Sequence, residues 1–252
     1  MSHSIEVSEN AGVRSLHFGS SWIQGAMRVA RPYALELEYT REMMAALLLR
    51  PEVEGWPRRV LQIGLGAGSL TKFLWRQFPE MRLTIVEINP AVVGVAYASF
   101  RLPDDAQRIY IEIGDGVEFV AEDQGEYDLI LVDGFDDKAR AGNLDAVPFY
   151  AACRRRLADG GLMVVNLLGH HRGFKGALDR ISNAFEGRAL LFPSCDSGNT
   201  IALAAVGEPV AISLTELKAS AQALKTATGL NLLPTLARLQ QAANCKEGVL
   251  RL

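Results

Sequence analysis

Cysteine is scarce in this chain. Cys153, Cys195 and Cys245 lie far apart and are odd in number. They suggest neither a disulfide framework nor a metal knuckle, and a reducing cytoplasm suits them best. A bias of charge is also missing. The 26 basic and 29 acidic residues leave a net charge of −3, which argues against a dedicated nucleic-acid binder. Long apolar runs are absent: no stretch reaches the roughly 18 uninterrupted apolar residues of a membrane span. The opening Met1-Ser2-His3-Ser4-Ile5-Glu6 has no basic region followed by an apolar run, so no secretory signal is expected. No internal repeat or low-complexity tract interrupts the chain.

What is present is an ordinary globular composition. Apolar residues make up 49% of 252, and charged residues 22%, enough for one large domain with small appendages. Val13–Phe18 and Trp22–Met27 read as strands of a small hairpin. Leu35–Leu49 has helical spacing, with Pro51, Gly55 and Pro57 at its exit. From Arg59 strands and helices alternate. Strands are expected at 59–63, 82–87, 108–113, 127–132 and 160–166. Helices fit between them at 67–78, 90–99, 115–122 and 146–157, and another at 173–186. Apolar runs 189–192 and 200–204 flank the turn 193–199 and read as a closing hairpin. This order predicts an α/β fold: a mostly parallel sheet covered on both faces, closed by an antiparallel strand. Residues 213–245 read as helical, broken near Gly229 and Pro234. The expected organisation is a small N-terminal β-hairpin region and helix over 1–50, a Rossmann-like nucleoside-binding catalytic domain over 51–212, and a C-terminal helical extension over 213–252.

The chemistry centres on strand ends. Val60-Leu61-Gln62-Ile63 runs into Gly64-Leu65-Gly66-Ala67-Gly68, a strand, a glycine turn and a helix start. Glycines allow positive φ there and let a ligand approach the backbone. Ser69 stands where the dinucleotide pattern has its last glycine, which tilts the reading towards S-adenosylmethionine-like ligands. About twenty residues on, Glu87 ends the next strand, where a carboxylate can accept from both ribose hydroxyls. Pro90 suits the first turn of the helix that follows. Asp115, in Gly114-Asp115-Gly116, is either a helix N-cap or a partner for an adenine amino group. Asp133 ends the strand Tyr127–Val132, and Asp136 follows it. Ligands of an open parallel sheet sit beyond these strand ends, so both acids point at the crevice of the glycine turn. A free Asp, near 3.9, is a weak base towards an ammonium near 10, but burial and like charge raise a carboxylate. Asp137 reads as a solvated loop acid. His170 and His171 are adjacent and read as loop residues. No spacing supports a metal. Trp22, Trp56 and Trp75 read as packing residues, with Trp22 near a possible pocket wall.

In this order the residues resemble the spermidine synthases, the polyamine aminopropyltransferases, from about Trp22 to Val206. Besides the motifs above, the resemblance rests on Ile23-Gln24, Leu37-Glu38-Tyr39 with Glu42, Ile113–Phe119, Phe149-Tyr150 and Leu157–Gly161. It implies a Rossmann-like S-adenosylmethionine-dependent transferase fold with a seven-stranded sheet, and a divergent bacterial-type member. It implies a donor, decarboxylated S-adenosylmethionine, a small-molecule amine acceptor such as putrescine, and a homodimer; composition and spacing lead to the expectation of no metal, nucleic acid or membrane partner and of a cytoplasmic location. By similarity Asp133 is the general base, and Asp136, Gln24 and Tyr39 bind substrate. Gly64, Gly66, Gly68, Glu87, Asp115 and Gly116 hold the nucleoside. Two places depart from the family pattern. Ala67 stands where the family carries an acid at the amine end of its ligands. The loop Asp136-Asp137-Lys138-Ala139-Arg140-Ala141-Gly142 replaces an Asp-Pro and Gly-Pro gate. Methyl transfer from S-adenosylmethionine, or nucleoside binding without catalysis, are the alternative functions on the same sheet.

Overall fold

The computed structural model describes residues 4–19, 22–50, 55–136, 139–168, 171–192, 198–240 and 245–252, with only the backbone described at 171–173. Asp137, Lys138, His170, the side chain of His171 and the turn 193–197, with Cys195, lie outside the described residues. The chain opens with strands β1 (Ile5–Asn10), β2 (Val13–Phe18) and β3 (Gly25–Arg28), then helix α1 (Glu38–Met43) and a 3-10 turn, Met44–Leu48. The alternating body follows: β4 (Arg59–Ile63), α2 (Ser69–Gln77), β5 (Arg82–Glu87), α3 (Pro90–Phe100), β6 (Ile109–Ile113), α4 (Gly116–Glu122) and β7 (Tyr127–Val132). After it come α5 (Val147–Arg156), β8 (Leu157–Leu168), α6 (His171–Ala184), β9 (Ala189–Leu191) and β10 (Asn199–Ala205). The last elements are β11 (Ala211–Ser213), α7 (Leu214–Thr228), α8 (Leu233–Leu239), β12 (Cys245–Lys246) and β13 (Val249–Arg251).

The central sheet has seven strands in the order β6-β5-β4-β7-β8-β10-β9. Strands β4 to β8 run parallel, and β10 pairs antiparallel with both β8 and β9. Alternation along each strand builds two cores. Val60, Leu83, Ile85, Leu129, Leu131, Leu162 and Val164 face one side, under α1, α2, α3, α7 and α8. Leu61, Ile63, Val86, Ile130, Val132, Met163 and Val165 face the other, under α4, α5 and α6. Each such side chain stabilises the fold by about 1.5–3 kcal/mol when fully buried. Both faces are covered, so the central strands carry apolar residues at nearly every position.

Local chemistry sets the helix starts at the sheet's carboxyl rim. Asn89 caps α3 by accepting from the Ala91 N–H, with Pro90 at the first helical position. Asp115 caps α4 through the Val117 N–H. Gly68, at φ 66°, precedes α2.

Three segments differ from the sequence expectation. The N-terminal region has three antiparallel strands, because β1 pairs along the whole of β2. Its polar, exposed face hides the alternation that would mark a strand. The helix expected at 35–49 is α1 followed by a 3-10 turn. Beyond the two C-terminal helices, β11, β13 and β12 make a small sheet, each strand too short for a periodic signal.

These peripheral pieces are tied to the elements that carry the site. Arg238 of α8 bonds Glu38 at 3.1 Å and also pairs with the buried Glu42, both on α1. Arg14 of β2 donates to the Ser99 carbonyl at 2.6 Å, and Lys72 of α2 donates to that of Phe100 at 2.7 Å. Two basic side chains thus satisfy the last two carbonyls of α3. Burial, with Arg101 nearby, lowers the Lys72 ammonium to about 7.

The tightest backbone approach lies at Gly64. Its φ is +89°, and a Cβ there would sit 2.2 Å from the Asp133 carbonyl oxygen. Gly64→Ala is expected to destabilise the protein by roughly 2–4 kcal/mol, from left-handed strain and steric overlap. A denaturant midpoint within error of wild type would show that the two strand ends are not in contact.

Candidate active site

A cavity of about 720 Å³ opens along the carboxyl rim of the sheet. Its walls follow the strand order. On one side Asp115 and Gly116 come from β6 to α4, and Glu87 and Ile88 from the end of β5. The glycine turn after β4 forms the middle, and Asp133 to Asp136 follow from β7. Asn166 and Leu168 of β8 and Asn199 of β10 close the far side. From above, Trp22, Ile23 and Gln24 reach in from the entry to β3, and Leu37, Glu38 and Tyr39 from α1.

All the expected site residues except Gly68 line this one cavity. Gly68 serves the packing of α2, since a Cβ there would meet Leu102 at 2.9 Å. Gly66 brings the turn close to the chain of β3: a Cβ on it would lie 3.2 Å from the Gln24 carbonyl. Ala67 is buried beneath Gly25, where a Cβ on that glycine would meet its own Cβ at 2.7 Å.

Glu87 is held by backbone. Its two oxygens accept from the Leu65 and Asn89 N–H groups, each at 2.9 Å. Burial raises its pKa, and the backbone donors of Leu65, Asn89, Gly66 and Ile88 oppose the rise. Those bonds fix the carboxylate at the rim of the cavity.

Asp133 is half-buried in the opposite wall. Tyr39 donates to its Oδ2 at 3.2 Å, and Asn166 donates to its Oδ1 at 2.8 Å. Burial raises the Asp133 carboxyl, while these two donors pull it back. The Tyr39 phenol is pushed well above its ordinary value by burial and by Asp133, so it remains a donor.

Asp136 is engaged inside its own loop. Its Oδ1 accepts from the Arg140 N–H at 2.9 Å, and its Oδ2 from Arg140 Nε at 2.8 Å. The second guanidinium nitrogen stands 2.7 Å from the same oxygen. Sequence spacing alone does not reveal this pairing. It also misses Asn166 and Asn199, although an amide at the end of the apolar run 160–166 is a signal for the first. A buried polar group without a partner is costly, so such a residue usually serves a network.

A family model described as Spermine/spermidine synthase domain matches residues 37–186. A polyamine aminopropyltransferase of Neisseria meningitidis is 34% identical over 244 residues, covering 97% of this chain and 91% of that protein. One of Chromobacterium violaceum is 35% identical over 237 residues, covering 94% and 89%. Among solved structures, a probable spermidine synthase of Corynebacterium glutamicum superposes with a TM-score of 0.72 at 21% identity, covering 90% of this chain and 91% of that one. At that identity the likeness concerns the fold.

Because burial raises Asp133 above its unfolded value, the folded state binds its proton more tightly. That contribution to stability is fully present below the unfolded value of about 4 and is lost as pH rises through the folded value. Asp133→Asn removes the titration. Its stability relative to wild type is expected to climb from acid pH towards neutrality, read from urea midpoints at stepped pH. A difference that stays level across this range would mean that Asp133 titrates normally.

Proposed function

Because the chain belongs to the spermine/spermidine synthase family, we propose that it is an aminopropyltransferase of polyamine biosynthesis. It moves an aminopropyl group from decarboxylated S-adenosylmethionine to a small amine such as putrescine. The observation that carries this reading is the pairing of Glu87 and Asp133 on facing walls of one cavity. A nucleoside anchored at Glu87 sets its sulfonium end towards Asp133. A cytoplasmic homodimer goes with the reading.

The residues divide the work. Glu87 accepts from the ribose hydroxyls, Asp115 faces the adenine edge, and Gly64, Gly66 and Gly116 let the nucleoside lie against backbone. Gln24 and Tyr39 border the reacting end. The acceptor amine attacks the methylene carbon next to the sulfonium with its lone pair. The carbon–sulfur bond breaks, its electrons pass to sulfur, and methylthioadenosine leaves as a neutral thioether. The amine proton goes to Asp133. Burial makes Asp133 a stronger base than a free carboxylate, and Tyr39 and Asn166 keep it ionised until it accepts. Alignment of amine and carbon supplies much of the acceleration. Methyl transfer and binding without catalysis are not favoured: neither calls for a held carboxylate at this point, and the full-length relatives are named for aminopropyl transfer.

Asp136 is the second carboxylate at the amine end. A substrate ammonium reaches it only in competition with Arg140, the chain's own cation. The Ala67 position supplies no charge there, so Arg140 tunes how strongly this site draws an amine.

Asp133→Asn is expected to lower kcat by roughly 10²–10⁴-fold, the range of a lost general base. Methylthioadenosine affinity should stay within about threefold, as for a base that does not hold the nucleoside. Calorimetry and a product assay with putrescine check both, and unchanged turnover would remove Asp133 from the base role. Arg140→Ala is expected to lower the amine KM about two- to fivefold, the worth of a partly exposed ion pair. An unchanged or higher KM would remove Asp136 as an amine ligand.

A further inference from the structure

Asp133 is held by an amide that is itself held. Asn199 Nδ2 donates to Asn166 Oδ1 at 2.8 Å, and Asn166 Nδ2 donates to Asp133 Oδ1 at 2.8 Å. Both asparagines are buried, at 7% and 4% exposure, and both line the cavity. The sheet register sets them in place. Asn199 pairs with Leu168, and Asn166 pairs with Ile201. The two amides are therefore diagonal neighbours on one face of β8 and β10, within side-chain reach.

The polarity of this chain matters. A primary amide offers an NH2 group at one end and a carbonyl at the other. With its NH2 towards Asp133, Asn166 stabilises the carboxylate. With its carbonyl there, it would repel the carboxylate and favour the protonated acid, which cannot take a proton from an amine. Asn199 distinguishes the two orientations, because its donor needs the Asn166 carbonyl as acceptor. Flipping Asn166 would set NH2 against NH2 and leave buried polar groups unpaired.

We propose that Asn199 is a positioning residue for Asp133: it fixes the Asn166 amide so that the NH2 group faces the carboxylate and holds it ready to accept a proton. The proposal rests on Asp133 being the base. Among the described residues, the titratable and charged groups that share the cavity with Asp133 are Tyr39 and Glu38 on α1, Glu87 after β5, Asp115 before α4, and Asp136 with Arg140 after β7. Only Tyr39 of these touches it in the described contacts. The described parts of β8 and β10 contribute Leu168 and the two amides to this wall, and no titratable group.

Three exchanges at one position test it. Asn199→Leu removes the donor, Asn199→Ser keeps one, and Asn199→Asp offers an acceptor that reverses the chain. The acid limb of kcat/KM against pH is expected to move up by roughly half a unit to one unit in Asn199→Leu, the worth of one neutral hydrogen bond. It should move further in Asn199→Asp and least in Asn199→Ser. The carbon-13 signal of the Asp133 carboxyl, assigned with Asp133→Asn, should titrate in the same order without any substrate. A purely structural role would lower stability in all three without that order. The Ser and Asp exchanges are small, so the comparison stands without the Leu variant. Asp133 titration indifferent to residue 199 overturns the relay, whatever the turnover. A titration that follows residue 199 in a protein that turns over no amine supports the relay and refutes the aminopropyl reading alone.

Discussion

The site depends on one close contact between two strand ends. Gly64, leaving β4, lies so near the carbonyl of Asp133, leaving β7, that no side chain fits between them. The Asp133 N–H donates to the Ile63 carbonyl at 2.9 Å, and the Gly64 N–H to that of Val86 at 2.9 Å. Three neighbouring strands are thus stitched together at the rim where the chain turns. The turn then points the Leu65 N–H at Glu87, 2.9 Å away. The proposed nucleoside anchor Glu87 and the candidate base Asp133 share one cavity because the backbone between them is drawn tight.

Around that contact the electrostatics work by opposition. Burial raises both Glu87 and Asp133. Backbone N–H groups counter it at Glu87, and a phenol and an amide counter it at Asp133. The two acids differ in what can move. Backbone donors are rigid, which suits a residue that anchors a ligand. Side-chain donors have orientations, which makes a proton acceptor tunable. Asp136 shows a third solution, a carboxylate matched by a guanidinium of its own loop. The proposed amine site would thereby limit its own attraction for cations.

Much of this was legible in order along the chain. Strands 59–63, 82–87 and 127–132 stand where the apolar runs placed them, because a run buried on both faces has little other use. Glu87 ends one of those runs, Asp133 follows another, and Asp115 comes two residues after β6, so their place at the rim follows from the fold class. The N-terminal sheet was only partly legible: β1 is a polar strand whose partner, β2, supplies the reason for its existence. The ion pairs of Arg238 with α1 span about two hundred positions, and no local pattern announces them. Asn166 and Asn199 do not stand out in the sequence, because one is the last residue of an apolar run and the other reads as part of a turn. Their meaning lies in the register between two strands.

The order of residues along the chain settles which of them can reach the rim. Periodicity sets strands and helices, and the end of a parallel strand has a defined place in the sheet. It also determined where backbone could come close, since glycine alone accepts the required φ without a clash. Folding in three dimensions sets which groups meet: Tyr39 with Asp133 and Asn199 with Asn166 across elements, and Arg140 turned back on Asp136 within a loop. Those pairings depend on distances of a few ångströms between segments far apart in the chain. Hydrogen bonds and carboxylate desolvation are set at that scale, and no spacing along one strand encodes it.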